Sequence, residues 1–362
     1  MSKAADLANL IGNINMGGGG VNKNLLINGS MAVAQRGTTH TTASAYTLDR
    51  WTISETTDGA VTITQDSSVP SGSGLSNSYK LDVTTADTSL SSAQRVFPHQ
   101  IIEAQNCQIL QYGTSEAKPI TLSFYVKSNV TGTYTVLFYN SDASKHQSAT
   151  YTIDSANTWE QKKITIQGDT ASGFNDDTGA GLEISWWLAA GSSYTSGTLG
   201  IGSWQSETAA NKVSSSNVNI MSSTDNEWFL TGCQLEVGQN ATSFEHEPFE
   251  RTFLKCSRYF QKYYSGNEYT IFLNGGIDNA SGDAYLQGAL RTQMRATPTY
   301  YATNSYLYSQ PGSTISYSGT PTNRSSPDYA TMGYNVGAGS QGHAIRFESS
   351  GTSGTVEYDA EL

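Results

Sequence analysis

Charge is scarce in this sequence. Lys, Arg, Asp and Glu make up 14% of its 362 residues, and what charge there is leans negative, to a formal −11 at pH 7. Nucleic-acid binding draws its affinity from Lys and Arg neutralising phosphates, so DNA and RNA are excluded as expected partners. Cysteine is scarcer still: Cys107, Cys233 and Cys256 stand far apart, which leaves neither a thiol redox pair nor a zinc-ligand spacing and predicts buried free thiols. No stretch approaches the ~20 apolar residues that span a bilayer. Met1 is followed by Ser-Lys-Ala-Ala-Asp rather than by a basic segment and an apolar core, so the expectation is a chain made in the cytoplasm without a signal peptide and not inserted in a membrane. No serine sits in a G-x-S-x-G elbow, and the five histidines fall in no local nucleophile motif. No cofactor signature appears, and the chain reads as a non-enzyme.

What is plentiful is Gly, Ser, Thr, Asn and Tyr, a composition that favours strands and turns over charged helices. At roughly 150 residues per domain, the length implies two domains. At the front, Leu7, Leu10, Ile11 and Ile14 recur at spacings of three and four before Gly17 to Gly20 interrupt regular structure. The result is a short helical arm on a hinge over residues 1–23, whose stripe is too short to stand alone and needs a surface to dock on. From residue 24 the period changes to two, in VTITQ, ITLSFYVKS, GTYTVLFYN, LEISWWLAAG and WFLTGCQLEVG. Such alternation with Gly/Asn/Asp turns predicts an antiparallel jelly-roll β-sandwich over 24–250. The stretch from Phe249 to Cys256 can make two helical turns, with Phe249, Phe253 and Leu254 facing inward, leading into a helical and strand connector over 251–264. A second, smaller β-sandwich domain fills 265–362, so the fold class is all-β. Its many tyrosines, among them Tyr300, Tyr301, Tyr306, Tyr308, Tyr317, Tyr329 and Tyr334, exceed what a small core needs, and some should face a partner.

Several segments together carry a resemblance: NLLINGSMAVAQRG at 24–37, LDRW at 48–51, TGCQLEVGQNATSFEHEPF at 231–249, CSRYFQKYY at 256–264, MRATPT at 294–299 and the terminal YDAEL. In these, the chain resembles bacteriophage virion proteins of the tail-fibre and receptor-binding type, whose main module is a jelly roll similar to carbohydrate-binding modules. It departs at Glu247, where that group often has a basic residue. The resemblance implies a virion location, a homotrimer, attachment to tail or capsid proteins through Leu7, Leu10, Ile11 and Ile14, and recognition of a host cell-surface glycan. Three other readings remain open: a purely structural virion element such as a head fibre or decoration, a polysaccharide depolymerase, and a secreted lectin.

The candidate sites follow from residue type and placement. In Glu245-His246-Glu247 an extended chain sends the two carboxylates to one face and the imidazole to the other, which Pro248 reinforces. The expected role is therefore structural, ending the last strand of the first sandwich. Asn175, Asp176 and Asp177, and Asp278 with Asp283, place oxygens on glycine-rich loops without calcium-loop spacing, so solvated turns are expected rather than a metal site. Adjacent Trp186 and Trp187 must point to opposite faces of a strand; the outward ring stacks on a sugar, meets a neighbouring subunit or lies under a loop. Trp204 in GTLGIGSWQSE has the same three options, while Trp51, Trp159 and Trp228 sit in alternating runs where burial is the ordinary outcome. Trp204, Tyr194, Tyr306 and Tyr308 are the candidate ligand-binding rings.

Overall fold

The computed structural model describes residues 3–5, 7, 8, 11, 23–41, 43–265, 270–277, 283–309, 313–315, 318–336, 343–349 and 352–362. They form two compact units, 1–252 with Leu362 and 253–361. Leu10 and Ile14 of the proposed arm, Asp278 and Tyr317 lie outside the described residues. Leu7 and Ile11 are helical and exposed.

In the first unit the alternating segments become thirteen strands: β1 (Thr39–His40), β2 (Thr52–Glu55), β3 (Ala60–Asp66), β4 (Ser78–Thr85), β5 (Arg95–Glu103), β6 (Ile120–Ser128), β7 (Gly132–Asn140), β8 (Lys145–Ile153), β9 (Glu160–Ile166), β10 (Ala180–Trp187), β11 (Ala189–Ala190), β12 (Gln205–Ser206) and β13 (Glu227–Val237). One sheet runs β1-β3-β4-β13-β6-β9; the other runs β11-β5-β10-β7-β8-β12, with β2 also on β5. All strand pairings are antiparallel. The inner faces meet over one core, where the Trp186 ring from β10 packs 5.8 Å from Phe124 of β6 and 5.4 Å from Trp51. Such face-to-face packing of antiparallel sheets is the expected β-sandwich.

Three of the segments that carried the resemblance, at 24–37, 48–51 and 231–249, close this sandwich. Asn24 Nδ2 donates to the Cys233 carbonyl at 2.9 Å, and Asn24 Oδ1 accepts from Leu26 N and Leu235 N, each at 3.0 Å. NLLING is thereby stitched to TGCQLEV. Gly29 permits the approach, because a Cβ there would stand 2.0 Å from the Cys233 carbonyl oxygen. Asn28 adopts a left-handed φ of 58°, donates to the carbonyls of Val33 and Asp49 and accepts from Val33 N. Buried Asp49 takes the Gln35 backbone and amide at 2.7 and 2.6 Å, and Trp51 Nε1 reaches the Asn28 carbonyl at 3.1 Å. Buried polar groups need such partners, and these supply them to one another.

The second unit holds a three-stranded sheet, β14 (Phe260–Tyr264) and β17 (Thr299–Thr303) flanking β23 (Thr355–Asp359). Its larger sheet runs β19 (Ser313–Ile315), β18 (Ser305–Ser309), β22 (Ala344–Ser349), β15 (Ile271–Ile277), β16 (Asp283–Ala289), β21 (Tyr329–Asn335), β20 (Ser318–Asn323). Val356 and Tyr358 from the first share a core with Leu273, Leu286, Met332 and Phe347 from the second.

Phe249–Ser257 is helical, but its buried face differs from the expected one. Phe249 and Leu254 stay 55% and 49% exposed, Phe253 is half-buried, and the residues turned inward are Thr252, Cys256 and Ser257. Thr252 and Cys256 lie one turn apart on one stripe, so small side chains form the buried side and the large apolar ones flank it. The last strand also ends earlier than expected, at Val237, eight residues before Glu245.

Candidate functional site

Period-two alternation decides what the outer face of the seven-stranded sheet carries. Strands β5 and β10 send Val96, Ile102, Leu182, Ile184 and Trp186 into the core. Their alternate residues Phe97, His99, Glu183, Ser185 and Trp187 therefore face away from it. Register aligns these across strands: Ser185 pairs with both His99 and Leu137, and Glu183 with both Ile101 and Tyr139.

Part of this outer face is covered. Trp187 stacks on Phe97 at 4.3 Å, Tyr194 tilts over Trp187 at 5.1 Å, and Val213 and Leu137 complete a second small core. The outward tryptophan of the WW pair thus lies beneath the segment after β11, one of the three outcomes open to it. Arg95 closes the stack, its guanidinium 5.6 Å from the Tyr194 ring centre and its Nη1 donating to the Tyr194 hydroxyl.

Beside that covered stack runs a polar strip. His99 Nδ1 stands 3.0 Å from Glu183 Oε1, with the two side chains 16% and 19% exposed. The imidazole is fixed edge-on to Phe97 at 5.2 Å. Across the strip Tyr139 donates to Glu207 Oε2 at 3.0 Å, Lys212 donates to Glu207 Oε1, and the Lys212 ammonium lies 5.3 Å over the Tyr139 ring. The Lys212 hydrogen bond holds the Glu207 carboxyl below its ordinary range, while burial pushes the Tyr139 phenol up. Behind them His146 is buried, and burial followed by the Lys212 charge pushes its pKa down. The strip thus offers two carboxylates, an imidazole, an ammonium and a phenol at the edge of an aromatic stack. This is hydrogen-bonding chemistry suited to a polyhydroxylated ligand.

Of the four rings singled out from sequence, only Tyr194 joins this face. Trp204 packs against the main core, edge-on to Tyr112 at 5.6 Å, with Nε1 donating to the Gln167 carbonyl at 2.8 Å. Tyr306 is half-buried on β18 in the second unit. Tyr308 lies on the same strand, and its side chain is outside the described residues. Among the other tyrosines, Tyr334 is buried, Tyr300 packs 5.6 Å from Tyr358, and Tyr301 and Tyr329 are more than half exposed. Trp51 and Trp228 are buried, whereas Trp159 is half-buried edge-on to Phe229. The sequence reading missed His99, Glu183, Tyr139, Glu207 and Lys212. Alternation within VFPHQI and LEISWW already put Phe97 with His99 and Glu183 with Trp187, but joining the strands needs the register.

The remaining candidates disperse. Glu245 accepts from Asn24 N at 3.3 Å, Glu247 pairs with Arg251 at 3.2 Å and accepts from Thr252 at 3.0 Å, and His246 sits edge-on to Phe244 at 5.2 Å over Gly74. Asp177 caps the Gly179 backbone, and Asn175 bonds to Asp142. No group of three or more His, Cys, Asp or Glu able to hold a metal ion occurs among the described residues. Fully buried Glu236 is saturated: it accepts from Gln234, Thr242 N and Thr242 Oγ1 at 2.8–2.9 Å.

No family model matches the sequence, and no curated protein does. Among solved structures, the chain is similar to the enzymatically active domain of tailspike protein 4 of bacteriophage CBA120, at 16% identity and a TM-score of 0.33 over 59% of this chain and 21% of that one. It is similar to a family 4 carbohydrate-binding module at 15% identity and a TM-score of 0.30, covering 58% of this chain and 97% of the module. A family 11 carbohydrate-binding module from Clostridium thermocellum, solved with a mixed-linked tetrasaccharide, matches at 12% identity and a TM-score of 0.27, over 59% and 99% of the two chains. At these values the neighbours assign no ligand, activity or partner to this chain.

Proposed function

We propose that this chain is a virion protein that binds a host-surface glycan without catalysis, the jelly-roll unit taking an oligosaccharide along the strip His99, Glu183, Tyr139, Glu207 and Lys212. The observation that carries the reading is the partly buried His99–Glu183 pair beside a rigid Phe97–Trp187–Tyr194 stack. Sugar hydroxyls donate to and accept from such groups, and the stack holds them without further ordering on binding. Assembly as a homotrimer, with residues 1–23 attached to tail or capsid proteins, belongs to the same proposal and follows from the sequence resemblance. Three linked copies raise apparent affinity by about 10²–10⁴, so each strip need bind only weakly.

A glycan array probed with the full chain, followed by titration of the best hit, tests the proposal. Glu183→Gln should weaken binding about tenfold or more, the usual cost of losing a charge-assisted hydrogen bond. Absence of any hit, or a hit bound equally well by Glu183→Gln, overturns it. In that case the structural reading, in which the aromatic surfaces meet neighbouring subunits, takes its place.

A further inference from the structure

The second unit has a concavity of its own, on strands the sheet-face reading does not involve. A pocket of about 220 Å³ is lined by Asp283, Tyr285, Thr322, Arg324, Gly333, Tyr334 and Asn335. Its origin is legible in the pairing. Ala284, Leu286, Met332 and Tyr334 turn into the core. Strand alternation therefore sends Asp283, Tyr285, Gly333 and Asn335 to the outer face. Tyr285 pairs with Gly333, Gly333 with Thr322, and Asp283 with Asn335. The middle position of the row Tyr285–Gly333–Thr322 thus has no side chain. A Cβ on Gly333 would stand 3.3 Å from Tyr285 Cε1 and 3.6 Å from Thr322 Cβ. The missing side chain is the floor of the pocket.

Over that floor lies a cation. The Arg324 guanidinium carbon sits 4.7 Å from the Tyr285 ring centre, and among the described residues it has no carboxylate partner. A guanidinium held flat on an aromatic ring keeps its N–H edge free and pre-organised for a bidentate acceptor. The neighbouring row contributes the Asp283 carboxylate and the Asn335 amide, and Thr322 contributes a hydroxyl, all suited to ring hydroxyls. The volume falls below the roughly 300–1,000 Å³ of drug-sized sites, which limits the occupant to one small ring.

We infer that this pocket is a second, independent binding site, for a monosaccharide-sized ring that bears a carboxylate, with the carboxylate on Arg324 and the hydroxyls on Asp283, Asn335 and Thr322. The full chain is titrated with D-glucuronate and D-glucose by saturation-transfer NMR at physiological ionic strength, where the net charge of −11 is screened. Glucuronate should bind at least about tenfold more tightly than glucose, and Arg324→Gln should erase that preference. Gly333→Val fills the floor and should abolish glucuronate binding with the circular-dichroism spectrum unchanged. Glu183→Gln, on the other unit, should leave glucuronate binding intact, which separates this site from the sheet face. Equal binding of the two sugars overturns the inference. So does wild-type glucuronate affinity in folded Arg324→Gln or Gly333→Val.

Discussion

Asp49 is the residue on which the entry to the jelly roll depends. Its carboxylate is buried and spends both oxygens on Gln35, while its own carbonyl receives Asn28. Asp49→Ala should cost about 1.5–3 kcal/mol in urea unfolding, because it strands two buried donors. A change within a few tenths of a kcal/mol contradicts this role. The cysteines give a second residue-level prediction. All three are buried, and burial raises the Cys107 thiol to about 12 and the Cys233 thiol well above its ordinary value. Thiolate is the reactive form, so a thiol reagent at pH 8 should titrate no cysteine in the native protein and three after denaturation. Rapid native labelling would contradict the packing. At this scale the sequence was only half informative. Buried free thiols and divergent Trp186 and Trp187 follow from spacing and alternation, but the cover over Trp187 comes from Tyr194 and Val213, which no local pattern points to.

The segment from Glu207 to Lys212 and the strands it meets carry part of the pH response, alongside His40 on β1, whose pKa burial also lowers. Glu207 has a folded pKa below its unfolded value, so its contribution is present above that unfolded value and fades as pH falls. His146 also has a lowered folded pKa, so the unfolded chain binds its proton first. Stability from His146 is therefore complete above about 6.5 and is lost as pH falls from there towards its folded pKa. Both groups weaken the fold on acidification, His146 at the higher pH. The melting temperature should drop between about pH 7.5 and pH 5.5, and His146→Gln should reduce that drop. An unchanged drop in the variant assigns the effect elsewhere. Element type was legible because the apolar period switches from three-and-four to two near residue 24. The buried side of Phe249–Ser257 was not, because large apolar residues were read as inward when Thr252, Cys256 and Ser257 are the buried ones.

At the scale of the molecule, two units with separate cores share one chain. The all-β class and the presence of two β-units could be read from composition and alternation; register could not, and register is what places Glu183 beside His99 and leaves Gly333 as a gap. Of the motifs that resembled virion proteins, those at 24–37, 48–51 and 231–249 lie in the closure of the jelly roll and the others in the second unit; none supplies a residue of the strip, so they speak for the scaffold and carry no information on the ligand. Calorimetry should accordingly resolve two unfolding transitions, one shifted by Asp49→Ala and the other not; a single transition that shifts as a whole contradicts independent cores. The central claim, that the outer face of the seven-stranded sheet holds glycan, is tested most directly by hydrogen–deuterium exchange of the full chain with and without its best-binding oligosaccharide. Added protection should appear in β5, β7, β10 and residues 207–212; protection confined to other segments, with those unchanged, would contradict it.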